Sequence, residues 1–370
     1  MLVTKQPVLR RFWYAVMPMA KLADGPQPFT LLGEDIVLWL QADGTPAAVR
    51  DRCCHRTAKL SKGFVTEAGH LACGYHGWQY DCSGACVKIP QQPDTQIPAG
   101  AKVPAYHCAE RFGYAWVALE DPLVPLLEAE EEALGQRRIH QFDETWRTGA
   151  LRLMENSFDS AHFAFVHKGT FGQGDQPKPE HFTLNETAYG FEAKMVIPIN
   201  NPPESHRITG TTEPTTKREF SNQWHLPFLR KLGLRYPSGI HHTIYTCATP
   251  IDDERIQIIQ WLYRNDTEAD CPAALLNDWD TRVVLEDKVI LESVNSDAPV
   301  DVSRRDEAGM ASDRPGMIMR RRLLELLHAH GEQEQHRWIP LRAMPASPTV
   351  IPASPTVIPA QAGTQEAPTC

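Results

Sequence analysis

Two short segments, each carrying one cysteine and one histidine, constrain this chain more than any other feature. Cys53-Cys54-His55-Arg56 has the spacing Cys-x-His, and Cys73-Gly74-Tyr75-His76-Gly77-Trp78 has the spacing Cys-x-x-His. Seventeen residues lie between His55 and Cys73. Cys53, His55, Cys73 and His76 make a four-donor set of two thiolates and two imidazoles, which suits either zinc or an iron–sulfur cluster. The surrounding sequence reads as short strands. Phe12–Val16, Phe29–Leu32 and Ile36–Leu40 are apolar or alternating runs separated by Ala23-Asp24-Gly25-Pro26 and Gly33-Glu34-Asp35. Asp43-Gly44 predicts a hairpin turn into Ala47-Ala48-Val49. Strand patterning returns at Tyr114–Leu119, so the first third of the chain reads as antiparallel all-β.

Three features favour the cluster over zinc. Each segment contributes one Cys and one His, so one iron can take both thiolates and the other both imidazoles, the Rieske arrangement of a [2Fe-2S] cluster. Gly74 and Gly77 let backbone N–H groups approach the sulfurs. A zinc finger would instead continue into a short helix bearing closely spaced histidines. Five of the nine cysteines fall between positions 53 and 86, which points to metal rather than disulfides. The odd count, with no apolar segment after the basic residues of Met1–Arg11, predicts reduced thiols and a cytoplasmic location. A net charge of −9 with dispersed Lys and Arg disfavours nucleic acid. No apolar run is long enough for a membrane span.

A second donor set lies further on, in Asn156-Ser157-Phe158-Asp159-Ser160-Ala161-His162-Phe163-Ala164-Phe165-Val166-His167. Read as a helix, it turns Met154, Phe158, Ala161 and Phe165 towards a core. Asn156, Asp159 and His162 recur every third residue on another face. His167 follows His162 by five residues, so the two imidazoles converge only if the helix ends or bulges between them. Two imidazoles plus a carboxylate, with open positions, is the preferred set of a mononuclear non-haem Fe(II). An ordinary helix with one core and one surface histidine satisfies the same residues. The helix expected over Asp278–Val294 offers the carboxylate. Val283, Asp287, Ile290, Leu291 and Val294 share one stripe, and a metal or a buried Arg would neutralise Asp287 there. Glu286 and Glu292 fall off that stripe and are expected to be solvated.

Cys53-x-His55 and Cys73-x-x-His76, followed by Asn156-x-x-Asp159-x-x-His162-x4-His167, resemble the α-subunit of Rieske non-haem iron oxygenases from about residue 10 to residue 335. The branch it looks most similar to contains pheophorbide a oxygenase-like, vanillate and dicamba O-demethylase-like, and toxin-tailoring enzymes. This sequence departs from the family's usual first motif by having Cys54 where Pro commonly stands. The resemblance implies an α+β chain. Residues 1–125 would form an all-β Rieske domain and residues 126–340 a catalytic domain with an antiparallel sheet covered by helices. Strands are expected at Phe191–Ile197, His242–Thr246 and Ile256–Tyr263, and helices at Leu126–Leu134 and Arg320–Leu327. Residues 341–370 contain the repeat Ala-Ser-Pro-Thr-Val-Ile-Pro twice and are expected to be an extended, disordered tail.

The resemblance further implies His162, His167 and Asp287 as ligands of the mononuclear iron, with the last ligand in a Glu-Asp context like Glu286-Asp287. It implies a head-to-tail homotrimer in which Asp159 bridges His162 to His76 of the partner subunit, while Asn156 helps position the site. Electrons would come from NAD(P)H only indirectly, through a separate reductase and in some systems a ferredoxin, because the chain has no nucleotide-binding glycine loop or plant-type ferredoxin cysteine set. The expected activity is O2-dependent monooxygenation, by hydroxylation or O-/N-demethylation, of a cyclic or aromatic small molecule. The competing readings are a cis-dihydroxylating ring dioxygenase, a Rieske electron carrier and a zinc-stabilised interaction protein.

Overall fold

Alternation of buried and solvent-facing residues along most strands builds three antiparallel sheets. The computed structural model describes residues 1–174, 181–304 and 307–337, so the repeat-containing tail lies outside the described residues. The first sheet has six strands in the spatial order Tyr14–Pro18, Tyr114–Ala118, Ala105–Arg111, Pro46–Arg50, Glu34–Leu40 and Gln27–Leu31. The expected turn at Asp43-Gly44 joins the strands Glu34–Leu40 and Pro46–Arg50, with Gly44 at a φ of +82° that a side chain would resist. A small four-stranded sheet, Phe64–Val65, Leu71–Ala72, Gln79–Tyr80 and Cys86–Lys88, carries the second Cys/His segment.

The third sheet has seven strands. Their order is Arg137–Trp146, Ile256–Arg264, His241–Pro250, Leu229–Arg235, Thr215–His225, Gly190–Asn200 and His181–Thr187. Thr215–His225 alternates between buried and exposed positions, as a strand with one wet face should. Ile256–Arg264 and nearly all of His241–Pro250 are instead continuously buried, because both of their faces are covered. On one face Tyr245, Trp261 and Tyr263 pack with Phe112, Tyr114 and Trp116 of the first sheet. On the other, Ile244 and Leu262 pack with Leu276 and Trp279 of the Ala273–Leu291 helix. The chain is thus α+β, with an all-β N-terminal part followed by a helix-covered antiparallel sheet. No helix among the described residues is long and apolar enough to cross a membrane.

Several expected elements shift. The Leu126–Leu134 helix shrinks to Glu130–Ala133, because Leu126 and Leu127 pack as extended chain against the aromatic seam between the sheets. The helix expected from Asp278 begins earlier, at Ala273 after Pro272, and ends at Leu291. The last helix runs from Arg314 to Ala329, with Pro315 in its first turn where the missing N–H is harmless. The single helix drawn through Asn156–His167 is broken into Ala150–Phe158 and Phe163–Val166, and that break makes the site.

Candidate metal centres

The Ala150–Phe158 helix stops because Asp159 leaves helical geometry, at φ −84° and ψ 120°. Its Oδ1 accepts a hydrogen bond at 2.8 Å from the N–H of Ala161, two residues on, which stabilises a turn in place of another helical turn. The chain re-enters a short helix at Phe163, with the N–H groups of Phe165 and Val166 bonded to the carbonyl of His162. His162 and His167 therefore sit on either side of a redirected backbone, and their imidazoles meet. Phe165, expected in the core, is pushed outwards by the same break and is 69% exposed.

His162 Nε2 and His167 Nε2 are 3.2 Å apart, and each lies 3.4 and 3.3 Å, respectively, from Asp287 Oδ1. This is a near-equilateral triangle. Three cis ligands at about 2.1 Å from one ion stand roughly 3 Å from each other, so the triangle fits a single cation on one face. The other ring nitrogens fix the tautomers. His162 Nδ1 faces Asp159 Oδ2 at 3.4 Å, and His167 Nδ1 faces Glu286 Oε2 at 2.9 Å. With both Nδ1–H groups aimed at carboxylates, both Nε2 lone pairs point inwards at each other and at Asp287. Asp287 Oδ1 is buried with no hydrogen-bond partner. Three donor atoms converging at this spacing, one of them an unpartnered carboxylate oxygen, form a candidate cation site among the described residues. Burial by itself raises the Asp287 carboxyl, but the neighbouring imidazoles of His167 and His162 hold it below its ordinary value.

Glu286 corrects the expectation of a solvated side chain. Besides His167 it accepts a hydrogen bond from Thr170 Oγ1 at 2.8 Å. Gly169 leaves room for it, since a Cβ there would lie 2.8 Å from Glu286 Oε1. Of the apolar stripe drawn around Asp287, only Leu291 is buried; Ile290 and Val294 are exposed and line a groove that also contains Asp159. Asn156 stands between that groove and the cavity beside Asp287, lining both.

The Cys/His segments form two facing loops. Cys53 and Cys73 are buried and unoxidised. Thr57 N–H closes the first loop on Cys53 O at 3.0 Å, and Gly77 N–H closes the second on Cys73 O at 2.9 Å. Gly74 sits where a Cβ would come within 2.6 Å of Lys62 O, which holds the second loop against the chain following the first. The His55 and His76 rings are 4.6 Å apart, and His55 stacks on Trp78 at an interplanar angle of 3°. His55 Nδ1 is buried without a partner. Burial pushes the Cys73 thiol up, so a thiolate there requires a cationic group beside it. Two buried thiols and an orphaned imidazole nitrogen converging from two loops fit a Rieske cluster. The Tyr80 hydroxyl lies 3.0 Å from Cys53 Sγ and 3.2 Å from Cys54 Sγ, so Cys54 stands beside the donor set.

Beside the His162–His167–Asp287 trio, the seven-stranded sheet and the Ala273–Leu291 helix enclose a cavity with about 730 Å3 of atom-free space, including its mouth. Its walls mix Phe220, Leu234 and Ile244 with the polar residues Arg218, Arg230 and His242. Tyr236 also lines it, whereas Trp224 and Phe228 are buried in the hydrophobic core. The cavity's arginines carried no signal in the sequence, because a strand alternation does not reveal which charged residue faces inwards.

A fold with one site for an iron–sulfur cluster and another for a single open-faced iron defines a two-centre iron oxidoreductase. Residues 12–106 match the Rieske [2Fe-2S] domain, and residues 146–329 match the vanillate O-demethylase oxygenase C-terminal domain. Methylxanthine N1-demethylase NdmA of Pseudomonas putida is 31% identical over 346 residues, covering 88% of this chain and 92% of that protein. Methylxanthine N3-demethylase NdmB of the same species is 28% identical, covering 86% and 90%. The solved structure of NdmA from Pseudomonas putida CBB5 superposes with a TM-score of 0.72 at 29% identity, over 88% of this chain and 92% of that one. Dicamba monooxygenase bound to dicamba shares the fold, with a TM-score of 0.74 at 22% identity over 87% and 98% of the two chains. The chain belongs to the Rieske non-haem iron oxygenases, as an α-subunit. Its cofactors are a Rieske [2Fe-2S] cluster and a mononuclear iron.

Proposed function

We propose that this protein is the terminal oxygenase of a multicomponent system that monooxygenates a cyclic small molecule, by hydroxylation or by O- or N-demethylation. The observation that carries the reading is the triangle of His162, His167 and Asp287 donor atoms, 3.2 to 3.4 Å on each side, opening onto an enclosed cavity. In this reading Cys53, His55, Cys73 and His76 hold the cluster, and His162, His167 and Asp287 hold the mononuclear iron. The cluster supplies electrons singly, and the mononuclear iron supplies oxygen activation. Overall, O2, two electrons and two protons convert a C–H bond to C–OH and release water. Where the carbon is an O- or N-methyl, the hydroxymethyl product breaks its C–O or C–N bond and leaves as formaldehyde.

The chain's own residues orient the site. Asp159 and Glu286 hold the two imidazoles by their Nδ1 atoms, Asn156 stands beside Asp287, and the cavity walls exclude bulk water from the reacting carbon. Asp159 is one-third exposed, and each of its oxygens retains a free lone pair after its internal contact. It can therefore also accept a hydrogen bond from His76 of the partner subunit in a head-to-tail trimer. Exposed apolar residues support such an assembly, with Val289 and Ile290 on the iron-ligand helix and Tyr75 on the cluster loop. Electrons come from a separate reductase fed by NAD(P)H, and a cytoplasmic location suits the reduced cysteines.

The test is aerobic turnover under 18O2 with a surrogate reductase and a panel of methoxy-, N-methyl- and unmethylated cyclic compounds. Product mass spectra and formaldehyde are then measured. Formaldehyde with a missing methyl group marks demethylation, and a single 18O without formaldehyde marks hydroxylation. Two 18O atoms in one product, or neither formaldehyde nor 18O in any product from a fully loaded enzyme, would overturn monooxygenation.

A further inference from the structure

Three arginines of the described chain are buried to below a tenth of their surface: Arg218, Arg264 and Arg320. Arg264 is paired with Asp266, and Arg320 with Glu155 and Glu307. Arg218, 7% exposed, is the exception. Among the described residues no carboxylate lies within ion-pair distance of it, and its Nε is buried without a hydrogen-bond partner. An unpaired guanidinium in such a place is costly unless something else satisfies it.

What surrounds it is aromatic. The guanidinium carbon lies 5.1 Å from the Phe171 ring, 5.3 Å from Tyr236 and 5.7 Å from Phe220. These faces attract the cation but offer no acceptor for its five N–H donors. The Tyr236 hydroxyl is likewise buried with no partner. Phe171 stacks in turn on His167, with ring centroids 4.8 Å apart, so a single phenyl ring separates Arg218 from an imidazole of the trio. A second guanidinium, Arg230, lines the same cavity. It donates to Asn222 Oδ1 at 2.9 Å and also has no ion pair among the described residues. Among the described residues, the one carboxylate of the cavity outside the trio, Asp280, accepts from Gln141 at 2.5 Å and faces His242 at 3.4 Å. The cavity thus carries two unpaired cationic side chains beside a metal site.

We propose that Arg218 and the Tyr236 hydroxyl form a carboxylate-binding subsite, and that the substrate is an aromatic or heteroaromatic acid. Its ring packs on Phe220 and Phe171, and its reacting substituent points to the His162–His167–Asp287 trio. This rests on the oxygenase reading and names the substrate class of that site. Arg218 binds and orients; the subsite makes and breaks no covalent bond.

The experiment is calorimetric binding to the iron- and cluster-loaded enzyme, without reductase. The probes are matched pairs of 3- and 4-methoxybenzoate, 3- and 4-methoxybenzamide, and an N-methylindole carboxylate with its carboxamide. At least one acid should bind about tenfold or more tightly than its amide, the scale of one charge-assisted hydrogen bond. Arg218→Gln should abolish that preference and Arg218→Lys should keep part of it, with amide binding, iron and cluster content unchanged. If Arg218→Gln does not fold, Tyr236→Phe should still reduce the preference severalfold. Acids and amides bound alike in every pair, a preference that survives Arg218→Gln, or acid and amide binding weakened equally would overturn the subsite. Turnover of the same probes under 18O2 reads the oxygenase assignment separately, since lost oxygen insertion leaves the binding preference untouched.

Discussion

In the proposed reaction, Glu286 and Asp159 act through the imidazoles they hold. Glu286 bonds His167 Nδ1 at 2.9 Å, so Glu286→Leu should lower iron affinity by about 10- to 100-fold, the usual effect of deleting such a partner. Chelator competition would measure it, and the visible spectrum of the cluster should not change. Unaltered iron retention would remove Glu286 from the site. Asp159→Asn should retain both metals and a chemically reducible cluster yet abolish turnover, in single-turnover as in steady-state assays; steady-state activity at the native rate would rule out the bridging role. Most of this site was legible because metal ligation demands particular residues at particular spacings. Cys53, His55, Cys73, His76, His162 and His167 stand out on that ground alone, and Asp287 stood out as an acid on an apolar face. Glu286 did not. A helical wheel turns it away from Asp287, and only the path of the Gly169–Thr170 segment across the helix gives it a partner. Arg218 was equally silent, since its meaning lies in the ion pair it lacks.

At the scale of elements, the break after Phe158 matters most, and a ladder of charges braces the helix that leads into it. Arg152 and Glu155 on the Ala150–Phe158 helix pair with Glu307 and with Arg320 of the Arg314–Ala329 helix. Arg320→Gln leaves Glu155 with only its longer contact to Arg152, at 3.4 Å, and should destabilise the fold by about 2 kcal/mol in urea denaturation. Burial tends to raise the Glu307 carboxyl, but Arg152 and Arg320 hold it at about 2. A carboxyl depressed in the folded state stabilises fully above its unfolded value of 4.5 and loses that contribution as pH falls towards 2. Melting temperatures between pH 5 and 2.5 should therefore fall less steeply in Glu307→Gln than in the parent. The strands were largely legible from alternation, as at Phe191–Ile197 within Gly190–Asn200. The helix break was foreseen only as a condition for the histidines to meet. Its cause, an Asp159 side chain capturing the Ala161 N–H, competes with helix at a single residue and leaves no periodic trace.

For the whole molecule, the proposed head-to-tail trimer would turn the surface around Val289, 73% exposed in the single chain, into a buried contact. Val289→Glu should shift the mass measured by light scattering from trimer to monomer and lower reductase-driven turnover about tenfold or more. Iron content and dithionite reduction of the cluster should persist. A trimer that survives this change would place the contact elsewhere. One feature of the architecture also bears on how such enzymes diversify. The aromatic seam of Tyr114 and Trp116 against Tyr245, Trp261 and Tyr263 joins the two large sheets side chain by side chain. The cluster loops instead rest on a separate core, in which Leu71 and Tyr80 of the small sheet pack on Val37 and Trp39 of the first. Recombination between related genes that cut the chain at the seam would mate mismatched aromatic surfaces, whereas a transplant of the loops with their small core leaves the seam intact. A change in the cluster loops therefore needs matching only within that small core, whereas a change at the seam needs matching on both large sheets.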